Sequence, residues 1–343
     1  MSLDRIRLAS LHDKVMSAEQ AAQFIQDGMT VGMSGFTRAG EAKAVPLALV
    51  KQAQANPLKI TLITGASLGN DLDKQLTEAG VLARRLPFQV DNTLRKAINK
   101  GEVMFIDQHL SETVEQMRNQ QLKKPDVAVI EAVAITEDGG IVPTTSVGNS
   151  ASFAIFAEKV IVEINTNLSP AFEGLHDIYI PTYRPTRQPI PLTKVDERIG
   201  TQAINIDPAK TVGIVFNSEL HDSPSTVTAP DDETQSIANH LIAFFEKEVA
   251  EDRLPKNLGP LQAGIGSIAN AVLTGLKESN FEDLIMYSEV LQDCTFELID
   301  AGKMKFASGS SITLSAKYGE KVFNNLEHYK DKLVLRPQEI SNH

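Results

Sequence analysis

Leu261-Gln262-Ala263-Gly264-Ile265-Gly266-Ser267-Ile268-Ala269-Asn270-Ala271-Val272 is the stretch on which the fold turns. A short strand pattern, Pro260 to Ala263, meets two glycines one residue apart, and a helical pattern, Ile268 to Leu276, follows at once. The next strand pattern, Leu284 to Tyr287, comes just after that helix. Strand, glycine turn, helix and strand in this order form a βαβ unit, and such units build a largely parallel sheet.

The same alternation fills the sequence before this stretch. Ser17 and Gln20 make a capping box, Ala21, Phe24 and Ile25 continue at helical spacing, and Gly28 is placed to end that helix. Strand patterns fall at Thr30 to Met33, Lys59 to Thr64, Glu102 to Ile106, Asp126 to Ile135, Val160 to Ile164 and Thr211 to Phe216, with helical patterns at Ala44 to Ala53 and Asn92 to Asn99. After Ile164 the chain turns irregular, with prolines at 170, 181, 185, 189 and 191, which predicts a long functional loop or an inter-domain passage. His221 to Asp232, rich in Ser, Thr, Pro and Asp, is the best linker. Beyond it Ile237, Leu241, Phe244 and Phe245 predict the apolar face of a helix, with His240 beside it as a satisfied structural histidine. The expectation is an α/β protein of two open, mostly parallel sheet domains, residues 1–225 and 226–343.

The chain has 343 residues, 42% hydrophobic and 22% charged, enough to bury one large core or two ordinary ones. Its formal net charge of −11 repels a polyanion, so nucleic acid is an unsuitable partner. A phosphorylated ligand would be held by helix N-termini and backbone amides, which act at short range whatever the net charge. The single Cys294 has no partner for an internal disulfide and fits a reducing compartment as a buried, inert thiol. The first residues carry no apolar secretion segment, and no run approaches the about 18 apolar residues of a membrane span. The expectation is a soluble, cytoplasmic protein that does not engage a membrane. The seven histidines show no metal-ligand spacing, so no metal site is expected.

Two glycine motifs compete for a function. Gly65-Ala66-Ser67-Leu68-Gly69 matches G-x-S-x-G, the nucleophile elbow, but no His-Gly-Gly segment precedes it and no acid and histidine partners stand out. A glycine-bounded turn between strand and helix accounts for it better. Gly264 to Ala269 matches G-x-G-x-x-A between strand and helix, a backbone cradle for an anion. Glu289, at the end of the next strand, is where a dinucleotide fold places its ribose-binding acid, so a nicotinamide-dependent oxidoreductase is one reading. Glu289 equally projects a partly desolvated, nucleophilic carboxylate into the crevice at the strand end, or stands as an exposed loop glutamate.

Taken in order, the segments Ser34-Gly35-Phe36-Thr37 through Pro46, Thr64-Gly65-Ala66-Ser67, His109-Leu110-Ser111, Gly148-Asn149, Leu261 to Val272, Met286-Tyr287-Ser288-Glu289-Val290 and Leu335 to Asn342 resemble the class I coenzyme A transferases. Within that family they resemble the acetyl-CoA hydrolase/transferase branch, which includes succinyl-CoA:acetate and propionyl-CoA:succinate CoA-transferases. The resemblance runs the whole length, and it implies two related domains of the CoA-transferase type. It implies Glu289 as a nucleophile that passes through an acyl-glutamyl anhydride and a glutamyl-CoA thioester, with ping-pong kinetics. It implies Gly264, Ile265, Gly266, Ser267 and Ile268 as the CoA cradle and the Ile265 amide as an oxyanion donor, and Asn342 as the residue that orients Glu289 or contacts substrate. Acyl-CoA and small carboxylates such as acetate, succinate and propionate would be the substrates, with no tightly bound cofactor, in a homodimer.

One departure accompanies the resemblance. Family members continue well past the position of His343 with a Gly-Gly-x-Gly-Asp-Phe segment that supplies a second oxyanion donor and further CoA contacts. The second domain is therefore expected to be incomplete, with its C-terminal part truncated, and a catalytically silent CoA-binding fragment is the third reading beside transferase and oxidoreductase.

Overall fold

The computed structural model describes residues 3–226 and 230–342. Eight strands lie in the first sheet: β1 (Thr30–Met33), β2 (Ile60–Ile63), β3 (Leu82–Leu86), β4 (Met104–Phe105), β5 (Val127–Ile135), β6 (Ile141–Pro143), β7 (Lys159–Asn165) and β8 (Thr211–Asn217). Their order is β4-β3-β2-β1-β5-β7-β8, with β6 paired to β5. Every pairing is parallel except β5 with β6. The order reverses between β1 and β5, so the backbone leaving β1 opens a crevice at the sheet's carboxyl edge.

β5 shows why the sheet is central. All nine of its residues are buried, as expected where helices or a second layer cover both faces of a parallel sheet. Its side chains alternate between two cores. Val127 and Val129 join Val31, Ile60 and Ile161 on one face. Ala128 and Ile130 point the other way and join a cluster that runs into the second half of the protein, through Leu284, Met286, Ala307 and Leu335.

That second half holds β9 (Pro260–Leu261), β10 (Leu284–Tyr287), β11 (Val290–Leu291), β12 (Met304–Gly309), β13 (Ser311–Ile312) and β14 (Leu333–Leu335). A four-stranded sheet runs β14-β12-β10-β9 and a two-stranded one pairs β11 with β13; all of these pairs are parallel. The predicted α/β architecture with parallel sheets is thus observed.

Several elements differ from the sequence reading. The capping box at Ser17 and Gln20 is formed, but its helix covers only Ala18–Ala22, and Gly28, at φ 78°, turns the backbone into β1 instead. β3 escapes the pattern because Leu-Ala-Arg-Arg-Leu looks polar; Arg85 is in fact fully buried and its Nε donates to Asp73 Oδ1 at 2.8 Å. The helix Asp232–Ala250 turns inward a face that shares only Phe245 with the one predicted. Ile242, Phe245 and Val249 pack on the core below Ala238, whereas Ile237, Leu241 and Phe244 are exposed. The helix is apolar on two sides, and periodicity alone chooses the wrong one. His240 is exposed and satisfied on its own helix, Nδ1 lying 2.7 Å from the Ser236 carbonyl.

The 221–226 segment is no loose linker. Asp222 Oδ2 accepts from Gly40 N at 3.0 Å and from Thr145 Oγ1 at 2.7 Å. Asn70 N donates to Ser223 Oγ, and Ser225 N to the Leu314 carbonyl. It is pinned between the two halves of the protein; residues 227–229 of the predicted linker lie outside the described residues.

Candidate active site

The carboxyl ends of the strands of both sheets meet around a cavity of about 720 Å³. From the first half, the turn after β1 contributes Thr37 and Arg38, the turn after β2 contributes Ala66 and Ser67, and Phe88, Val90, Gln108 and His109 add a wall. From the second come Ile265, Glu289, Val290, Gln292, Thr313 and Asn342. Glu289, Ile265 and Asn342, which lie far apart in sequence, therefore share one cavity.

Glu289 sits in the bend between β10 and β11, half-buried. Its backbone carbonyl accepts from Ser310 N at 2.7 Å, so the bend is fixed from the neighbouring strand. Its side chain is held by Asn342, whose Nδ2 donates to Oε1 at 2.9 Å. One carboxylate oxygen is thus engaged while Glu289 lines the cavity.

Asn342 follows the short helix Gln338–Ser341, and that helix is anchored at three points. Gln338 Nε2 donates to the carbonyls of Gly65 at 3.0 Å and Leu110 at 2.7 Å. Glu339 forms a two-point ion pair with Arg118, Nη1 to Oε2 being 2.9 Å, and both side chains are buried. Tyr287 Oη donates to the Ile340 carbonyl at 2.6 Å. The first two anchors reach into the first sheet's half of the protein, so Asn342 meets Glu289 only when the two halves are docked.

The glycine turn carries a smaller cavity of about 530 Å³, lined by Gly264 to Ala269, Val272 and Phe245. Ile265 lines both cavities and its side chain is 62% exposed. Gly266 has φ 148°, which a side chain rarely adopts. Nothing lies within 4 Å of the position a Cβ would take at Gly264 or Gly266. The turn therefore offers open backbone amides at the start of the helix Ser267–Glu278, the arrangement an anionic ligand uses.

A buried charge network underlies the cavity wall. Lys43 Nζ contacts Glu131 Oε1 at 2.6 Å and Asp222 Oδ1 at 2.7 Å and donates to the Glu41 carbonyl. Burial pushes Glu41 up to about 8, with Asp222 adding to the shift. Burial likewise pushes Glu131 up to about 7 against the pull of Lys43. Burial disfavours the Lys43 charge, yet Asp222, Glu131 and Glu41 hold it above its ordinary value. Glu41 in turn accepts from Gly69 N and, at 2.7 Å, from Asn70 Nδ2. The network fastens the turn after β2 and the 221–226 segment, both of which supply cavity residues. Glu163 on β7 completes the support, accepting from the amides of Lys43, Ala44 and Val45 at 2.9 to 3.1 Å. It thereby caps the helix Ala44–Ala55, whose own N-cap Lys43 cannot.

Of the other candidates, Ser67 lines the cavity but uses its backbone carbonyl to hold Arg38 N at 3.2 Å, as a turn residue does. Burial pushes the Cys294 thiol up to about 11, which leaves it unreactive. No group of three or more His, Cys, Asp or Glu suited to a metal ion occurs among the described residues. No helix among them is long and apolar enough to cross a membrane. Phe88, Val90, Gln292 and Thr313 are among the cavity residues that motif reading does not single out, and Arg38 falls within the Ser34 to Pro46 segment without a role of its own; the signal for Arg38 and Phe88 is position, after the carboxyl ends of β1 and β3.

A carboxylate in the bend after β10 and the glycine turn at a helix start thus line one cavity of a parallel α/β protein. Residues 2–216 match the family described as acetyl-CoA hydrolase/transferase N-terminal domain. The sequence is 45% identical over 341 residues to a succinyl-CoA:acetate CoA-transferase of Clostridium kluyveri, covering 98% of this chain and 63% of that protein. It is 43% identical over 350 residues to an acetyl-CoA hydrolase of Schizosaccharomyces pombe, covering 99% of this chain and 67% of that one. Among solved structures, RipA of Yersinia pestis superposes with a TM-score of 0.70 at 17% identity, covering 97% of this chain and 70% of RipA, a likeness of fold. The protein belongs to the acetyl-CoA hydrolase/transferase family, and it spans about two thirds of the length of these relatives.

Proposed function

We propose that this protein holds the centre of an acyl-CoA:carboxylate CoA-transferase, with Glu289 as its nucleophile. The observation that supports this is the 2.9 Å hydrogen bond from Asn342 to Glu289 on the cavity that Ile265 also lines. A carboxylate oxygen of Glu289 attacks the thioester carbonyl carbon, the C–S bond breaks, and an acyl-glutamyl anhydride and CoA thiolate result. The thiolate attacks the glutamyl carbonyl and expels the acyl group as a carboxylate, leaving a glutamyl-CoA thioester. A second carboxylate reverses both steps and leaves as a new acyl-CoA. Water in place of that acid gives hydrolysis by the same chemistry.

The Ile265 amide stabilises the oxyanion in each tetrahedral step, and one such donor is worth on the order of 3 kcal/mol in the transition state. Gly264 to Ile268 hold CoA. Binding of the remote nucleotide supplies free energy that is realised at the thioester, so shortened thiols lose rate as well as affinity. Acetate, succinate and propionate are the acids of this reading, for a cytoplasmic homodimer without a resident cofactor.

The test is the intact mass of the protein after incubation with acetyl-CoA, beside the Glu289→Ala variant, followed by peptide mapping. A CoA-sized increment on the Glu289 peptide, absent in the variant, is expected. Retention of NAD without CoA binding would overturn the reading in favour of a nicotinamide-dependent oxidoreductase, and CoA binding without an adduct would mark a silent CoA-binding module.

A further inference from the structure

Among the described residues lining the larger cavity, Arg38 alone carries a fixed positive charge, and Glu289 alone a carboxylate. The Arg38 guanidinium is exposed and makes no ion pair or hydrogen bond with any of the described residues. Elsewhere the cationic groups near this site are consumed: Lys43, Arg85, Arg118 and Arg336 are buried in ion pairs.

The backbone holds Arg38 there at a cost. Phe36 and Ala39 exchange both backbone hydrogen bonds, at 2.9 and 3.1 Å, around Thr37 and Arg38, whose φ angles are 51° and 68°. Two successive left-handed residues make the turn type that favours Asn-Gly. Here Thr-Arg occupies it, pinned by Arg38 N to the Ser67 carbonyl at 3.2 Å and by Thr313 Oγ1 to the Thr37 carbonyl at 3.1 Å. A strained turn clamped from both halves of the protein, with a free guanidinium at its tip, fits a built recognition element better than a spare surface charge.

We propose that Arg38 recognises the distal carboxylate of a dicarboxylic acid or acyl group held in the Glu289 cavity, and so selects dicarboxylic over monocarboxylic substrates. The inference rests on the CoA-transfer reading of that cavity. A planar carboxylate matches the guanidinium fork, and the charge of Arg38 offsets the repulsion between Glu289 and a doubly charged acid. A phosphate of CoA would satisfy the same fork. The carboxylate is favoured because Arg38 does not line the cradle cavity, which meets the larger one at Ile265, and the nucleotide end of a thioester leaves along the cradle.

Arg38→Gly suits the test, since glycine relieves the turn, and Arg38→Lys keeps the charge but not the fork. With acetyl-CoA as donor, the ratio of kcat/KM for succinate to that for propionate is expected to fall about 10- to 100-fold in Arg38→Gly and less in Arg38→Lys. An unchanged ratio, whether both acids lose equally or neither does, would overturn the proposal. A raised KM for acetyl-CoA with the acid ratio intact would overturn it too, by placing a phosphate on Arg38. A second readout needs no turnover: succinate should raise the melting temperature of the wild-type protein more than propionate does, and the difference should vanish in Arg38→Gly. Equal shifts by the two acids in the wild type would sink the proposal even if the CoA adduct forms on Glu289. An Arg38-dependent succinate shift without that adduct would instead support Arg38 while the transferase reading fails.

Discussion

Asn342 Nδ2 lies 2.9 Å from Glu289 Oε1, so the residue after the helix Gln338–Ser341 fixes the carboxylate in the bend between β10 and β11. If Glu289 is the nucleophile proposed above, this contact orients it, and its loss should appear in rate. Asn342→Ala is expected to lower kcat for CoA transfer about 100-fold, the scale of a misplaced reacting group, while the KM for acetyl-CoA moves less than about 3-fold. Steady-state kinetics check the split; equal damage to both constants would point to a collapsed site instead.

The position of Asn342 depends on Glu339, whose two oxygens pair with Arg118 in a fully buried contact. Glu339→Ala leaves an unpaired buried guanidinium, which costs about 3 to 5 kcal/mol. Urea unfolding should show that loss, and the double variant Arg118→Met, Glu339→Leu should recover much of it, because burying an ion pair is itself costly. Failure of the double variant to exceed Glu339→Ala in stability would contradict the argument.

The glycine turn can be tested one residue at a time. Both Gly264 and Gly266 have open space where a Cβ would stand, but only Gly266, at φ 148°, needs glycine for its backbone. Gly264→Ala should therefore keep the wild-type melting temperature within about 2 °C while raising the KM for acetyl-CoA, since a methyl group then occupies the ligand's approach. Gly266→Ala should do both, weakening CoA binding at least about 10-fold and destabilising the turn by about 1 kcal/mol. Calorimetric titration with CoA and thermal unfolding separate the two effects.

Much of this geometry is legible in the sequence, and the exceptions share a physical cause. Strand and helix alternation, the glycine turn and the strand-end carboxylate are local patterns, so they read correctly from residues in order. β3 does not, because Arg85 in it is neutralised by Asp73, a partner that only the fold supplies. The inward face of the helix Asp232–Ala250 does not either, since two apolar stripes compete and the packing of Ile242 against Gly275 decides. Arg38 lies within the Ser34 to Pro46 segment, but nothing in that pattern gives it a role. Its significance comes from what surrounds it, a cavity assembled from both halves of the protein.

His176 provides a pH test of how that assembly is held. It is fully buried beside the junction, its Nε2 2.9 Å from the Thr144 carbonyl and its Nδ1 without a partner among the described residues. The neighbouring Asp177 pairs with Arg336 from the second half of the protein. Burial lowers the His176 ring from 6.5 to about 4. As pH falls below 6.5 an unfolded histidine takes up a proton that the native one refuses, so stability is lost between 6.5 and 4 and the loss stops once both are protonated. The full effect is on the order of 3 kcal/mol. Stability of the wild type, measured by urea unfolding from pH 7 to pH 4, should therefore fall more steeply than that of His176→Gln, whose amide does not titrate. Parallel curves for the two proteins would show that His176 is accommodated as a cation, and that the junction has more room than the structure gives it.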